Sequence, residues 1–351
     1  MRTKIAGIGH YVPETVYTND DLSKWMETSD EWIQERTGIK ERRFAKKLTE
    51  TTTTMATEAS KKAIENAGIT AEDVDFIIFA TLSPDYYFPG GGVLLQRELG
   101  IAKTEIAALD IRNQCSGFIY GMTVADQFIK TGMYKNILLV GAEKHSSGLD
   151  FSTRGRGVSV IFGDGAGAVI LQPTEKEDQG ILTTAIHSNG TNAEELSLVS
   201  PGAHGGYFNE EEDFGFAEND KLGDIFVTEK MFQEGHFYPY MNGPAVFKTA
   251  VVKFPQVINE TLTNINKTPE DIDLLIPHQA NLRISQFVQR ALNLRDDQVF
   301  NNIHKYGNTT AASIPIALSE AYQEGLVKEG NLICLAAFGS GFTWGSVLLK
   351  W

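Results

Sequence analysis

A pattern that occurs twice constrains this chain more than any other feature. ITAEDVDFIIFATLS (69–83) and KTPEDIDLLIPHQAN (267–281) share an acidic turn, an aspartate (Asp75 and Asp273) and an apolar run of the kind that forms a buried strand. Each is followed by an amphipathic segment, VLLQRELGI (93–101) and RISQFVQRALNL (283–294). A helix closed by a glycine comes next, at Gly132 in one half and in HKYGNTTAASIPIALSEAYQEG (304–325) at Gly325 in the other. Apolar strands KNILLVGAE (135–143) and GNLICLAAF (330–338) follow, and each half ends in a glycine-rich turn into a strand, FGDGAGAVIL (162–171) and FGSGFTWGSVLL (338–349). The expected fold is α/β, a duplicated βαβ-rich unit with halves at 1–175 and 176–351. A helix over 55–67, preceded by the low-complexity TETTTT (49–54), and a strand over 74–81 complete the expected plan of the first half.

In AALDIRNQCSGFIYGMTVADQFIKTG (107–132), Cys115 stands where an apolar segment and a polar turn give way to a helix. Phe118, Met122, Ala125 and Ile129 recur there at helical spacing. A cysteine at a helix start meets unpaired N–H groups and the positive end of the helix dipole, which favour thiolate. A cysteine anywhere is more often a small core residue, as Cys334 in its apolar run reads. The repeat argues otherwise for Cys115. Counting back 17 residues from each closing glycine superposes Asn308 on Cys115, and the strand pattern superposes His278 on Ala80. Strand ends and helix starts are where α/β folds place their sites, so Cys115, His278 and Asn308 are candidates for acyl transfer through a thioester.

The totals exclude other classes. Two cysteines in 351 residues do not make a disulfide scaffold and suit a reducing compartment. No apolar run approaches the roughly 20 residues of a membrane span, and MRTKIAGIGHYVPE reads as strand and loop, so the expected location is cytoplasmic with no membrane partner. A net charge of −14 argues against nucleic acid. His10, His145, His187, His204, His236 and His304 lack metal-ligand spacing, and no metal is expected. GDGAGA lacks a P-loop's lysine and opens no helix, so it reads as tight packing.

One region breaks the repeat. From Pro201 to Pro239 the chain carries nine acidic residues and two lysines, with Tyr207, Phe208, Phe214, Phe216, Phe226, Phe232, Phe237 and Tyr238 interleaved. A purely disordered insert is poorer in aromatics, so this one, at about 200–239, reads as a partly ordered loop or cap; a solvated surface excursion is the alternative.

IPHQANLRI around His278, KYGNTTAASIPIAL around Asn308, FGSGFTWGS, VIFGDGAGAVIL and the N-terminal TSDEWIQERTGIKERR together resemble β-ketoacyl-ACP synthase III of the thiolase superfamily. The resemblance spans nearly the whole chain outside the insert. It implies a five-layer α-β-α-β-α fold, a homodimer and no resident cofactor, with acyl-CoA and malonyl-ACP (acyl carrier protein) arriving as substrates. Cys115 would carry the acyl group, His278 and Asn308 would hold the enolate left when CO₂ departs, and N–H groups of Cys115 and Ser340 would hold the other oxyanion. Trp32, Arg36 and Arg156 would meet the nucleotide end of CoA, and Gly243, Phe247, Ala280 and Asn281 its pantetheine. Lys248, Arg283 and Arg290 would face phosphopantetheine and the acidic carrier protein, and Phe88 would reach across the dimer into the partner's acyl pocket.

The chain departs from the family at Gly339-Ser340-Gly341, where three glycines are common; a serine tolerates positive φ poorly. Asn113 and Gln114 replace small apolar residues, and two tyrosines precede Phe88. Together with the insert, these departures point to acyl donors or acceptors other than the acetyl and malonyl pair. The alternative function is a related enzyme of secondary metabolism joining medium or long acyl groups to a β-ketoacyl or other acceptor. A papain-like hydrolase also runs Cys, His, Asn, but its C-G-[SA]-C-[WY] signature is missing, and a non-catalytic scaffold does not suit an intact trio.

Overall fold

The first half contributes strands β1 (Arg2–Tyr11), β2 (Val16–Thr18), β3 (Glu41–Arg43), β4 (Phe76–Ala80), β5 (Ala107–Ile111), β6 (Ile137–Glu143) and β7 (Gly165–Thr174). The second contributes β8 (Gly180–Ser188), β9 (Leu196–Ser197), β10 (Tyr240–Met241), β11 (Leu274–Pro277), β12 (Leu332–Gly339) and β13 (Thr343–Lys350). Between them run helices α1 (Asn19–Leu22), α2 (Asp30–Thr37), α3 (Thr52–Asn66), α4 (Gly91–Glu98), α5 (Gly117–Lys130), α6 (Arg156–Ser159), α7 (Glu229–Glu234), α8 (Gly243–Asn264), α9 (Leu282–Ala291), α10 (Ile303–Tyr306) and α11 (Ser313–Gln323). This computed structural model describes residues 1–202 and 227–351. Most of the acidic, aromatic insert, with His204, Tyr207, Phe208, Phe214, Phe216 and Phe226, lies outside the described residues.

Two sheets repeat one plan. The first runs β1-β7-β6-β4-β5 and the second β8-β13-β12-β11; beyond two antiparallel pairs the first has two parallel ones (β6–β4, β4–β5) and the second has one (β12–β11). The place of β5 in the second sheet is taken by a single parallel bridge, Leu275 to Val299. Helices α5 and α11 lie between the sheets and share one core cluster, in which Phe118, Ile119, Met122, Ile314 and Leu318 are 0–1% exposed. Each such side chain contributes about 1.5–3 kcal/mol by leaving water. Helices α3 and α4 cover the outer face of the first sheet, and α8 with α9 that of the second, which completes five layers.

The aspartates that mark the repeat do equivalent work. Asp75 accepts the N–H groups of Lys135 (2.7 Å) and Asn136 (3.0 Å) at the start of β6; Asp273 accepts that of Leu332 (2.7 Å) at the start of β12. Each strand is tied to its parallel neighbour by a carboxylate rather than by length alone.

The structure corrects three expectations. Helix α3 begins at Thr52 and not at 55: Thr51 caps it by accepting from the Thr54 N–H, so the threonine run is the cap and first turn of the helix rather than a segment preceding it. Cys115 sits in a 3₁₀ turn (Gln114–Ser116) before α5, and 304–325 is broken into α10, a loop, a 3₁₀ turn (Thr310–Ala312) and α11. Asn308 is therefore not the counterpart of Cys115. Gln114 (φ 44°) and Thr310 (φ 49°) open the two 3₁₀ turns, which makes Ala311 the counterpart of Cys115. Helix α11 has 11 residues against 14 in α5, so a count back from the glycines overshoots by about one helical turn.

Candidate active site

Cys115 is 7% exposed, between the two 3₁₀ turns and the end of β12. A Cβ on Gly339 would lie 2.6 Å from Cys115 Cβ, so only glycine permits this approach. The N–H groups of Cys115 and Ser340 and the Thr310 hydroxyl favour the thiolate. Against these donors, burial and the Glu143 carboxylate push the thiol up to about 12. Positive φ in the glycine turn falls on Gly341 (131°) and not on Ser340, which accounts for the serine's fit there; its hydroxyl donates to the Leu196 carbonyl.

His278 ends β11, 3% exposed. Its Nδ1 lies 2.6 Å from Ser313 Oγ, an oxygen to which the Gln279 N–H also points (3.4 Å). When the Ser313 hydroxyl gives its hydrogen to Nδ1, the ring proton is on Nε2. Nε2 is buried and has no partner, an orphan donor that in a folded protein marks a place for a ligand atom. Burial pushes His278 down to about 3, so the ring is a neutral donor. Asn308 is held by a bridge to Phe162, and its Oδ1 accepts the Thr310 N–H at 2.8 Å. Its Nδ2 takes no acceptor among the described residues.

A cavity of about 870 Å³ opens beside Cys115. Cys115, Ser340, Thr310, His145, Gln114 and Phe162 line its inner part; Tyr86 and Tyr87 lie farther out. His278 and Asn308 do not line it. Sequence reasoning missed two neighbours of the sulfur. Glu143 is fully buried, accepts from Thr81 Oγ1 (3.1 Å), Leu82 N and Ser83 Oγ (2.5 Å), and is pushed up to about 7 by burial. A charged residue closing the apolar KNILLVGAE was the available signal. His145, set aside for want of metal spacing, is hydrogen-bonded to Thr310.

The residues assigned to CoA and carrier protein form a second group. The guanidinium carbons of Arg36 and Arg156 lie 4.5 and 4.8 Å from the Trp32 ring centroid. Asn281 caps α9 through the Arg283 N–H and donates to the Arg36 carbonyl at 2.9 Å, joining α2 to α9. Ala280 donates its N–H to the His278 carbonyl, which links the two groups. Gly243, Phe247 and Lys248 lie at the start of α8, which packs on α9; Lys248, Arg283 and Arg290 are exposed. Phe88 is 81% exposed, with its ring against Tyr87, which lines the cavity. Among the described residues no cluster of three metal-ligating side chains occurs, and no helix is long and apolar enough to cross a membrane.

Residues 109–190 match the family model described as 3-oxoacyl-[acyl-carrier-protein (ACP)] synthase III, and residues 262–351 the model of its C-terminal part. The chain is 44% identical over 347 residues to β-ketoacyl-[acyl-carrier-protein] synthase III of Caldanaerobacter subterraneus subsp. tengcongensis, covering 99% of this chain and 97% of that protein. It is 43% identical to synthase III 1 of Bacillus cereus, over 100% of this chain and 99% of the relative. The crystal structure of 3-oxoacyl-[acyl-carrier-protein] synthase III from Aquifex aeolicus superposes with a TM-score of 0.85 at 44% identity, over 99% of this chain and 100% of that one. With the thiolase-like layers and the buried cysteine already in place, these similarities make the chain a member of the β-ketoacyl-ACP synthase III family.

Proposed function

We propose that Cys115, His278 and Asn308 divide the work of a decarboxylative condensation between them. The chain is an acyltransferase of the synthase III type, which condenses an acyl group with malonyl-ACP to begin a fatty acid. Cys115 takes the acyl group from acyl-CoA: its sulfur attacks the thioester carbonyl, and the N–H groups of Cys115 and Ser340 stabilise the oxyanion. His278 Nε2–H and Asn308 Nδ2–H then donate to the thioester carbonyl of malonyl-ACP. As CO₂ leaves, charge develops on that oxygen, and the carbanion attacks the acyl-cysteine to give β-ketoacyl-ACP. No strong base is required, only donors in a dry site.

The observation that carries this reading is the orphan Nε2–H of His278, buried, neutral and oriented by Ser313. Trp32 with Arg36 and Arg156 is a cationic aromatic platform suited to adenine and phosphate. Arg283, Arg290 and Lys248 are exposed cations suited to an acidic carrier protein. A homodimer is supported by β5, an edge strand with exposed residues, and by the exposed Phe88, Val93 (46%) and Leu109 (37%) beside it. Substrates of this kind and two free cysteines go with a cytoplasmic place of action.

Intact-protein mass after mixing with acyl-CoAs from C2 to C16 tests the first step. One acyl group gained by the wild type and none by Cys115→Ala is the expected result; no gain from any acyl-CoA refutes it. The alternative in secondary metabolism requires the same trio, and no feature of the site favours it.

A further inference from the structure

A threonine hydroxyl has one hydrogen, and Thr310 has two neighbours for it. Cys115 is on one side, in the 3₁₀ turn packed against that of Thr310 and lining the same cavity. On the other, at 2.7 Å from Oγ1, lies His145 Nε2. His145 is 7% exposed, and burial keeps its ring neutral, so the ring carries one N–H. If that N–H is at Nε2, it donates to Thr310, and the Thr310 hydrogen goes to the sulfur. If it is at Nδ1, Nε2 takes the Thr310 hydrogen and the sulfur loses that donor.

The backbone adds an independent observation. Thr310 has φ 49°, a conformation that β-branched residues rarely adopt. Strain of this kind persists only where the surroundings impose it, and it gathers at functional sites. Asn308 Oδ1 imposes it here through the Thr310 N–H at 2.8 Å. Gly141 lets the turn sit down on β6, since a Cβ there would lie 2.3 Å from the Ala311 carbonyl oxygen. The strained turn holds the hydroxyl on the imidazole, at the cavity that Cys115 also lines.

We propose that His145 is a positioning residue for thioester formation: its Nε2–H donates to Thr310 Oγ1 and so turns the Thr310 hydrogen onto the Cys115 sulfur. The inference rests on Cys115 being the nucleophile. His145 makes and breaks no bond. The S–C bond of acyl-CoA breaks as the Cys115 S–C bond forms, and the thiol proton ends on the CoA sulfur. Thr310 stabilises the sulfur while it carries negative charge, beside the two backbone N–H groups. Other titratable or charged groups at this cluster are Glu143 from β6, and Asp164, which accepts from Ser146 and the His145 backbone N–H. Lys144 is turned away onto the Glu50 carbonyl.

The test is the rate of Cys115 alkylation by iodoacetamide between pH 7 and 9, read by peptide mapping so that Cys334 is counted separately. Thr310→Val and His145→Leu should each slow alkylation about tenfold at every pH, a displacement of the profile by about one pH unit. His145→Gln, which keeps a donor, should recover most of the rate. A His145→Leu profile that coincides with wild type overturns the proposal, and so does failure of glutamine to recover a rate that leucine lost. Should the variants not fold, ¹⁵N-histidine NMR of the wild type decides: a proton on Nε2 of His145 supports the proposal and one on Nδ1 overturns it. An enzyme that alkylates as expected but takes no acyl group from any CoA refutes the proposed function and not this inference.

Discussion

Ser313 Oγ lies 2.6 Å from His278 Nδ1, which ties the first residue of central helix α11 to the residue that follows β11. Removing that oxygen frees the tautomer without touching Cys115. Ser313→Ala should slow condensation from pre-acylated enzyme about tenfold, the worth of one well-placed hydrogen bond, with the acylation rate unchanged. Single-turnover measurements of the two steps check this.

His278 and Asn308, the two residues proposed to hold the enolate, should differ in what else they affect. His278→Ala should lower condensation about 10²–10³-fold, the range for one oxyanion donor, with acylation intact. Asn308→Ala should lower condensation similarly and also slow acylation, because its Oδ1 holds the Thr310 turn against the sulfur. Equal effects on acylation would count against this division.

Gly339→Ala places a Cβ 2.6 Å from Cys115 Cβ, so the nucleophile or the end of β12 must move. Displacements near 1 Å cost about 100-fold in rate. The expected variant folds with a thermal midpoint near wild type and acylates at least 100-fold more slowly. Unchanged acylation would show that the approach of β12 to the cysteine is not required.

Stability should respond to pH through Glu143. Its folded value is about 7 against 4.5 for an unperturbed carboxyl, so the folded state holds the proton more tightly. The stability this supplies is fully present below about pH 4.5 and is lost as pH rises through 7. His278 has the opposite sign: displaced from 6.5 to about 3, its contribution is present above 6.5 and lost as pH falls through 3. Urea unfolding of wild type and Glu143→Gln isolates the first effect. Their difference in stability should change by about 2 kcal/mol between pH 5 and pH 8, in favour of the glutamine at the higher pH.

Association through β5 predicts that Leu109→Arg, a charge on an exposed edge strand, shifts sedimentation from dimer toward monomer. A wild-type monomer, or a variant dimer as tight as wild type, would refute that use of the edge.

The layers and sheets were legible in the sequence because buried parallel strands must be apolar throughout, as FIIFA and LLIP are. The aspartates preceding them were legible too, since each must cap the start of a neighbouring strand. Register was not. The glycine-to-glycine count paired Asn308 with Cys115, but helix length is set by packing between the sheets, and α11 is about one turn shorter than α5.

What the sequence by itself determined is the duplicated thiolase-like plan, and it supplied Cys115, His278 and Asn308 as the candidate reactive residues, because strand pattern, helix stops and local motifs are properties of contiguous chain. What only the tertiary structure decided is how those residues are oriented. The Nε2 proton of His278 depends on Ser313, 35 residues away; the Thr310 hydroxyl depends on His145, 165 residues away; and the seat of Cys115 depends on the missing side chain of Gly339. Hydrogen-bond direction and close approach require distances between segments that no local pattern encodes, so the chemistry could be named from the sequence while its electrostatics could not.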